Sequence, residues 1–276
     1  FVAVGLTCIV LFIKAAAARI APVSENRSTG LRWCMFIQQL VWIACLLSLA
    51  LYVDEENVAN MAIFVMAAYW LLMGTLMLAE SSELSPRVQR TLPATYFGRV
   101  FMTWFNPGSG TGFLFCVASG NVGMFGMAFA YTVCTERSSN DTQPLVMATI
   151  MSGYLMGYLG LTRLLTIPIS RRVGRSFPLP LAIAVLVLAV LALAPSAVKV
   201  ATTGRPADYY NVTEAVNWAW TTVEAFDAPF DVGIASLIFL VGSLVFLLNL
   251  FFLFREFGYR RVAVPRRVLE DRSVAE

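Results

Sequence analysis

The residues best suited to chemistry in this sequence are arginines. Arg163, Arg171, Arg172 and Arg175 follow one another with no acidic neighbour, and guanidinium groups so placed can pair with the carboxylates of a docked protein, an attraction that salt weakens. The same excess also follows from the bias of cytoplasmic loops toward positive charge, so both readings stand. Nothing comparable points to catalysis. The sequence contains no histidine, which removes histidine triads, imidazole proton relays and histidine zinc sites. Gly108-Ser109-Gly110-Thr111-Gly112 looks like a phosphate loop but lacks the lysine that would reach a nucleotide's phosphates, and no G-x-S-x-G elbow or H-E-x-x-H is present. The expectation is a protein that is not an enzyme, with no metal and no cofactor. Cys8, Cys34, Cys45, Cys116 and Cys134 lie in or beside apolar runs without C-x-x-C spacing, and read as small buried residues.

What would position the arginines is a membrane. Of 276 residues 58% are hydrophobic and 13% charged, against roughly 45–50% and 25% in soluble domains. The formal charge of +3 is too small to indicate nucleic-acid binding. The expected fold is all-α: a polytopic helical membrane protein with about seven transmembrane helices, centred on 1–20, 33–53, 60–79, 112–134, 145–168, 177–197 and 233–254. Each is near the about 20 residues that cross a hydrocarbon core. Phe1 stands inside the first run without an initiator methionine or a charged leader, so the chain reads as truncated at its N-terminus. All 20 basic residues except Arg137, Lys199 and Arg205 border alternate loops or the tail, and the opposite loops collect Asp54, Glu55, Glu56, Glu136, Asp141 and the acidic residues from Asp208 to Asp231. The positive-inside rule then makes the arginine-rich loops and the C-terminus cytoplasmic.

Phe97, Phe101, Trp104 and Phe105 recur at helical spacing before Asn106-Pro107-Gly108, a stop signal followed by a new apolar run. The pattern suits an amphipathic helix lying in the interface, either as a force relay or as an anchored connection. Gly120, Gly123 and Gly126 in the fourth span and Gly153, Gly157 and Gly160 in the fifth give two helices small faces for close packing, on each other or on neighbours. Gln38, Gln39, Asn121 and Asn249 read as interhelical hydrogen-bonding groups. No Asp, Glu, Lys or Arg falls near the middle of an expected span, which counts against ion-coupled transport. In the outer segment 198–232, Asn211 and Glu214 suggest a capping box opening a short helix or re-entrant piece.

Glu80 closing a span, Leu84-Ser85-Pro86-Arg87, Arg90 to Pro93, Gly98-Arg99, Trp104 to Gly112, the aromatic outer segment with Asn217 and Trp218, and Val264 to Asp271 together resemble the C-terminal part of ABC-2-type permeases. The resemblance covers roughly Glu80 to Asp271 and is one of layout and short peptides. It implies a membrane-spanning permease subunit of an ABC-type transporter of a bacterial inner membrane, with export driven by a separate cytoplasmic ATPase subunit. It further implies that Thr95 to Phe105 is a connecting helix, and that Arg163, Arg171, Arg172 and Arg175 are the partner-coupling residues. Only four spans follow Thr95, where such permeases commonly have six per half. The expected division is 1–79, a first three-helix membrane segment; 80–111, a cytoplasmic connection with the interfacial helix; 112–254, a four-helix segment with its exterior stretch 198–232; and 255–276, a basic tail. Expected partners are membrane lipid, the ATPase, and a homo- or hetero-oligomeric copy. The competing expectation is a non-transporting membrane scaffold or sensor recruiting partners through its basic loops.

Overall fold

A computed structural model describes residues 2–20, 27–53, 56–80, 105, 107–134, 142–173, 178–204, 210–227 and 229–260. Among them the secondary structure is entirely helical: α1 (Val2–Ile20), α2 (Arg27–Val53), α3 (Glu56–Leu78), α4 (Ser109–Cys134), α5 (Gln143–Val173), α6 (Pro178–Thr203), a 3-10 helix (Val212–Val216), α7 (Trp218–Asp227) and α8 (Val232–Arg260). Six of these, α2 to α6 and α8, are long and apolar enough to cross a membrane. Seven were expected, and the difference is α1. Its apolar part, Val2–Ala17, rises only about 24 Å at 1.5 Å per residue, short of a roughly 30 Å hydrocarbon core.

Helix boundaries follow local chemistry. Gly108 has φ 143°, a conformation that side chains resist, and α4 starts at the next residue with Gly112 N–H donating to the Gly108 carbonyl at 2.8 Å. Pro178 opens α6, where a missing N–H costs nothing. The Asp231 carboxylate accepts from Gly233 N–H at 2.7 Å and so caps α8.

Contacts along the helices give their directions. Arg32 and Gln39 of α2 meet Thr111 and Ser119 of α4 in the same order, so these two run parallel. In α3, Met77 lies against Cys116 and Trp70 against Phe115 and Gly120, an antiparallel pairing with α4. The helices α5 and α8 run parallel, with Gly153 against Ile238, Gly160 against Val245 and Arg163 against Asn249.

The centre of the bundle is α5: 78% of its membrane window is buried, against 17% for α6 and 22% for α8. It is also the least apolar of the six, and these facts belong together. A helix enclosed by protein can carry Tyr154, Tyr158, Thr162, Arg163 and Thr166, whereas one facing lipid must be apolar along its outer face.

The glycine faces find separate partners. A Cβ on Gly153 would stand 2.7 Å from the Ile238 carbonyl oxygen, one on Gly160 2.6 Å from Val245, and Gly157 faces Gly242. The face of α5 is therefore spent on α8. In α4, a Cβ on Gly120 would meet Leu155 and one on Gly123 would meet Gln39 and Met66, so that face takes side chains from α2, α3 and α5. Gly126 departs from the expected packing role: it is exposed, and nothing lies within 4 Å of where its Cβ would be.

Candidate functional site

Two buried arginines hold one end of the bundle together. Arg32 donates to the Glu80 carboxylate at 2.7 Å with its own side chain fully buried. The same carboxylate accepts from Ser28 Oγ at 3.0 Å and from Gly108 N–H at 3.3 Å. The beginning of α2, the end of α3 and the turn before α4 are thereby joined through one anion, as a buried charge requires. The Arg32 guanidinium also lies over the Phe115 ring at 5.6 Å.

The second arginine, Arg163 of α5, is 1% exposed. Its Nη1 donates to the backbone and side-chain oxygens of Asn249, each at 3.1 Å, while Asn249 Nδ2 donates to the carbonyls of Gly160 and Val245. This corrects its expected place among the partner-facing arginines: a guanidinium enclosed between α5 and α8 is not presented to a docked protein. Phe113 lies 5.9 Å beneath it and meets Phe246 in a tilted pair, centroids 5.8 Å apart. Because Phe113 and Phe115 are neighbours on the first turns of α4, that helix start touches both arginines.

Of the other expected coupling residues, Arg172 is exposed at the end of α5, whereas the Arg171 side chain and Arg175 lie outside the described residues. Phe97, Phe101 and Trp104 of the expected interfacial helix also lie outside them. Phe105 is described: it is buried, stacks on Trp33 with centroids 4.7 Å apart, and its carbonyl accepts from Thr29 Oγ1 at 3.1 Å. All five cysteines are free thiols.

Toward its other end α5 grips the segment between α6 and α8. The hydroxyls of Tyr154 and Tyr158 donate to the carbonyls of Ala215 and Val216 at 2.7 and 2.6 Å. These tyrosines stand about 16 and 22 Å down the helix from Gln143, at 1.5 Å per residue. Gln143 itself donates to the Ala225 carbonyl and accepts from Phe230 N–H. The 3-10 helix therefore sits partway along the bundle, with Glu214 and Ala215 buried and Val212 and Val216 exposed, and α7 climbs back to the start of α5. Trp218 fixes the inner turn by donating from Nε1 to the Leu188 carbonyl of α6 at 3.1 Å. Irregular backbone at such depth is tolerated where protein encloses it.

Asn211 caps the 3-10 helix by accepting from Thr213 N–H at 2.9 Å. The expected reciprocal bond from Glu214 is not made: its side chain is fully buried and neither carboxylate oxygen has a hydrogen-bond partner among the described residues. At Asn217 the helix expected through this stretch breaks; that residue is extended, and its side chain caps α7 at Trp220 N–H. Tyr210 packs over the segment and shares a 2.9 Å hydrogen bond with Thr221. Burial pushes its phenol above the usual range; the Thr221 bond opposes this, and the Glu224 and Glu214 carboxylates add to it.

The sequence reading missed the Arg32 and Glu80 pair, although opposite charges at adjoining span ends were a usable signal. It also missed the Tyr154 and Tyr158 clamp, visible only as an i, i+4 pair. Among the described residues no group of histidine, cysteine or carboxylate side chains could hold a metal ion. Comparison with protein families, curated proteins and solved structures gives no match.

Proposed function

We propose that the chain is the permease subunit of an ABC-type exporter of the ABC-2 kind, without ATPase chemistry of its own and driven by a separate cytoplasmic ATPase. In this reading it lies in a bacterial inner membrane, crossed by its six long apolar helices. In the same reading the C-terminus is cytoplasmic. The observation that supports it best is the two-ended engagement of α5. The helix carries Arg171 and Arg172 in its last turn, ahead of the loop with Arg175, is locked to α8 through Arg163 and Asn249, and holds the deep segment through Tyr154 and Tyr158. A push on the loop is thereby delivered to a rigid element that grips the opposite half of the bundle, which is what relaying a partner's work across a membrane requires.

The test is the Arg171→Glu, Arg172→Glu double variant. Co-purification with the ATPase encoded beside this chain should be lost in the variant while membrane insertion is retained. Unchanged binding and stimulation of that ATPase by an inserted variant would remove the coupling role and favour a membrane scaffold or sensor.

A further inference from the structure

A cleft of about 330 Å³ runs between α3, α5 and α6 and ends against α7. It opens sideways, since Leu72, Leu181 and Val185 at its rim are 36–58% exposed while Met151 and Leu155 at its floor are 2–3% exposed. Polar groups in its walls are already committed. Tyr154 and Tyr158 donate to Ala215 and Val216, Trp218 to Leu188, Thr75 to Leu72, and Thr222 to Trp218. A polar ligand would find no donor left to orient it, which pockets for such ligands normally supply. The occupant is therefore hydrocarbon along its length.

Length selects among hydrocarbons. On α3 the lining runs from Phe64 to Thr75, about 16 Å at 1.5 Å per residue. That is close to half of a roughly 30 Å hydrocarbon core, the depth of one leaflet. The volume sits at the small end of the roughly 300–1,000 Å³ typical of small-molecule pockets, whereas a docking helix spreads its contacts along ridges and grooves of an open face. The mouth is continuous with the apolar flanks of α3 and α6, where bilayer chains are the surrounding solvent.

We propose that this cleft holds one acyl chain of a bilayer phospholipid. The chain lies against the rings of Tyr154 and Tyr158, whose hydroxyls hold the 3-10 helix, so its presence braces the deep segment. The inference rests on the six membrane-length helices and is independent of the permease reading.

The experiment uses the protein in phosphatidylcholine vesicles containing a small fraction of phosphatidylcholine with a diazirine in its acyl chain, irradiated, digested and mapped. Labels should concentrate on Leu72, Leu155 and Val185 relative to Leu240 and Leu247 on the exposed side of α8. Ala68→Trp, which fills the mouth from an exposed position, should abolish the label on buried Leu155 and lower those on Leu72 and Val185 to the level of α8, leaving the α8 labels unchanged. Leu72→Trp serves the same purpose if that variant does not insert, with the label then read at Leu155 and Val185. Cleft labelling no higher than that of α8, or cross-links from the cleft to a second copy of the chain in place of lipid, would overturn the proposal.

Discussion

Glu80 is the acceptor around which three helix ends meet, and removing it leaves Arg32 buried beside a lost anion. Breaking a buried pair typically costs roughly 3–5 kcal/mol. Because Glu80 is itself 20% exposed, Glu80→Ala should fall at the lower end, about 3 kcal/mol. Glu80→Gln, which keeps an acceptor for Ser28 and Gly108, should cost less. Thermal unfolding of both variants in detergent checks this, and equal losses would show that charge contributes nothing beyond hydrogen bonding. Tyr210 sets a second expectation. Its neutral form is favoured in the folded state, so between the ordinary tyrosine value of about 10 and its raised folded value the unfolded chain binds fewer protons. Stability of the segment should thus fall as pH rises above that value. Tyr210→Phe should flatten the alkaline loss, read from tryptophan fluorescence of Trp218 and Trp220 between neutral and alkaline pH. Residue roles were the least legible part of the sequence. Arg163 carries the same letter as Arg171 and Arg172, and only the arrival of Asn249 from another helix separates a buried structural cation from exposed ones.

At the scale of elements, the α5 and α8 crossing should be the least tolerant of added atoms. Gly242→Ala would drive a methyl into the Gly153 backbone, which cannot move aside without separating the helices. A loss at the upper part of the roughly 1–3 kcal/mol overpacking range is expected. Gly157→Ala, whose Cβ would rest 3.8 Å from Gly242, should be nearly neutral, and Gly126→Leu should be tolerated because it faces open space. Melting temperatures of the three variants rank these outcomes, and a Gly126→Leu variant as unstable as Gly242→Ala would refute the packing assignment. The glycine periodicity was readable in the sequence, but which helix each face meets was not. Spacing defines a stripe, whereas its partner is set by which apolar faces remain once every helix is placed. The deep segment shows the same boundary. Asn211 announced a helix start, and Asn217, a capping residue in mid-pattern, was the sign that the helix would be broken in two.

For the whole molecule, helix directions and the sorting of charge lead to one expected topology. With the native cysteines removed, single cysteines at Asn57 and Ser273 should be labelled by an impermeant thiol reagent from opposite faces of the membrane. Labelling from one face would mean that the alternation of spans between them is wrong. The helical class and the six long spans were legible because continuous apolar runs of about 20 residues have few other uses. The seventh was not, since a run that begins at the first residue of the sequence gives no upstream flank by which to judge its length.

The pairing of Arg163 with Asn249 also bears on how the protein is made. Residues leave the ribosome in order, and Asn249 follows Arg163 by 86 positions. While α5 awaits it, the Arg163 guanidinium, toward one end of the helix, lacks the two Asn249 oxygens to which it donates in the folded bundle. The most buried of the described long helices thus gains its Asn249 contacts only once α8 has been synthesised. A chain stopped before α8 would therefore present quality-control proteases with an α5 whose glycine face and Asn249 contacts are unmade.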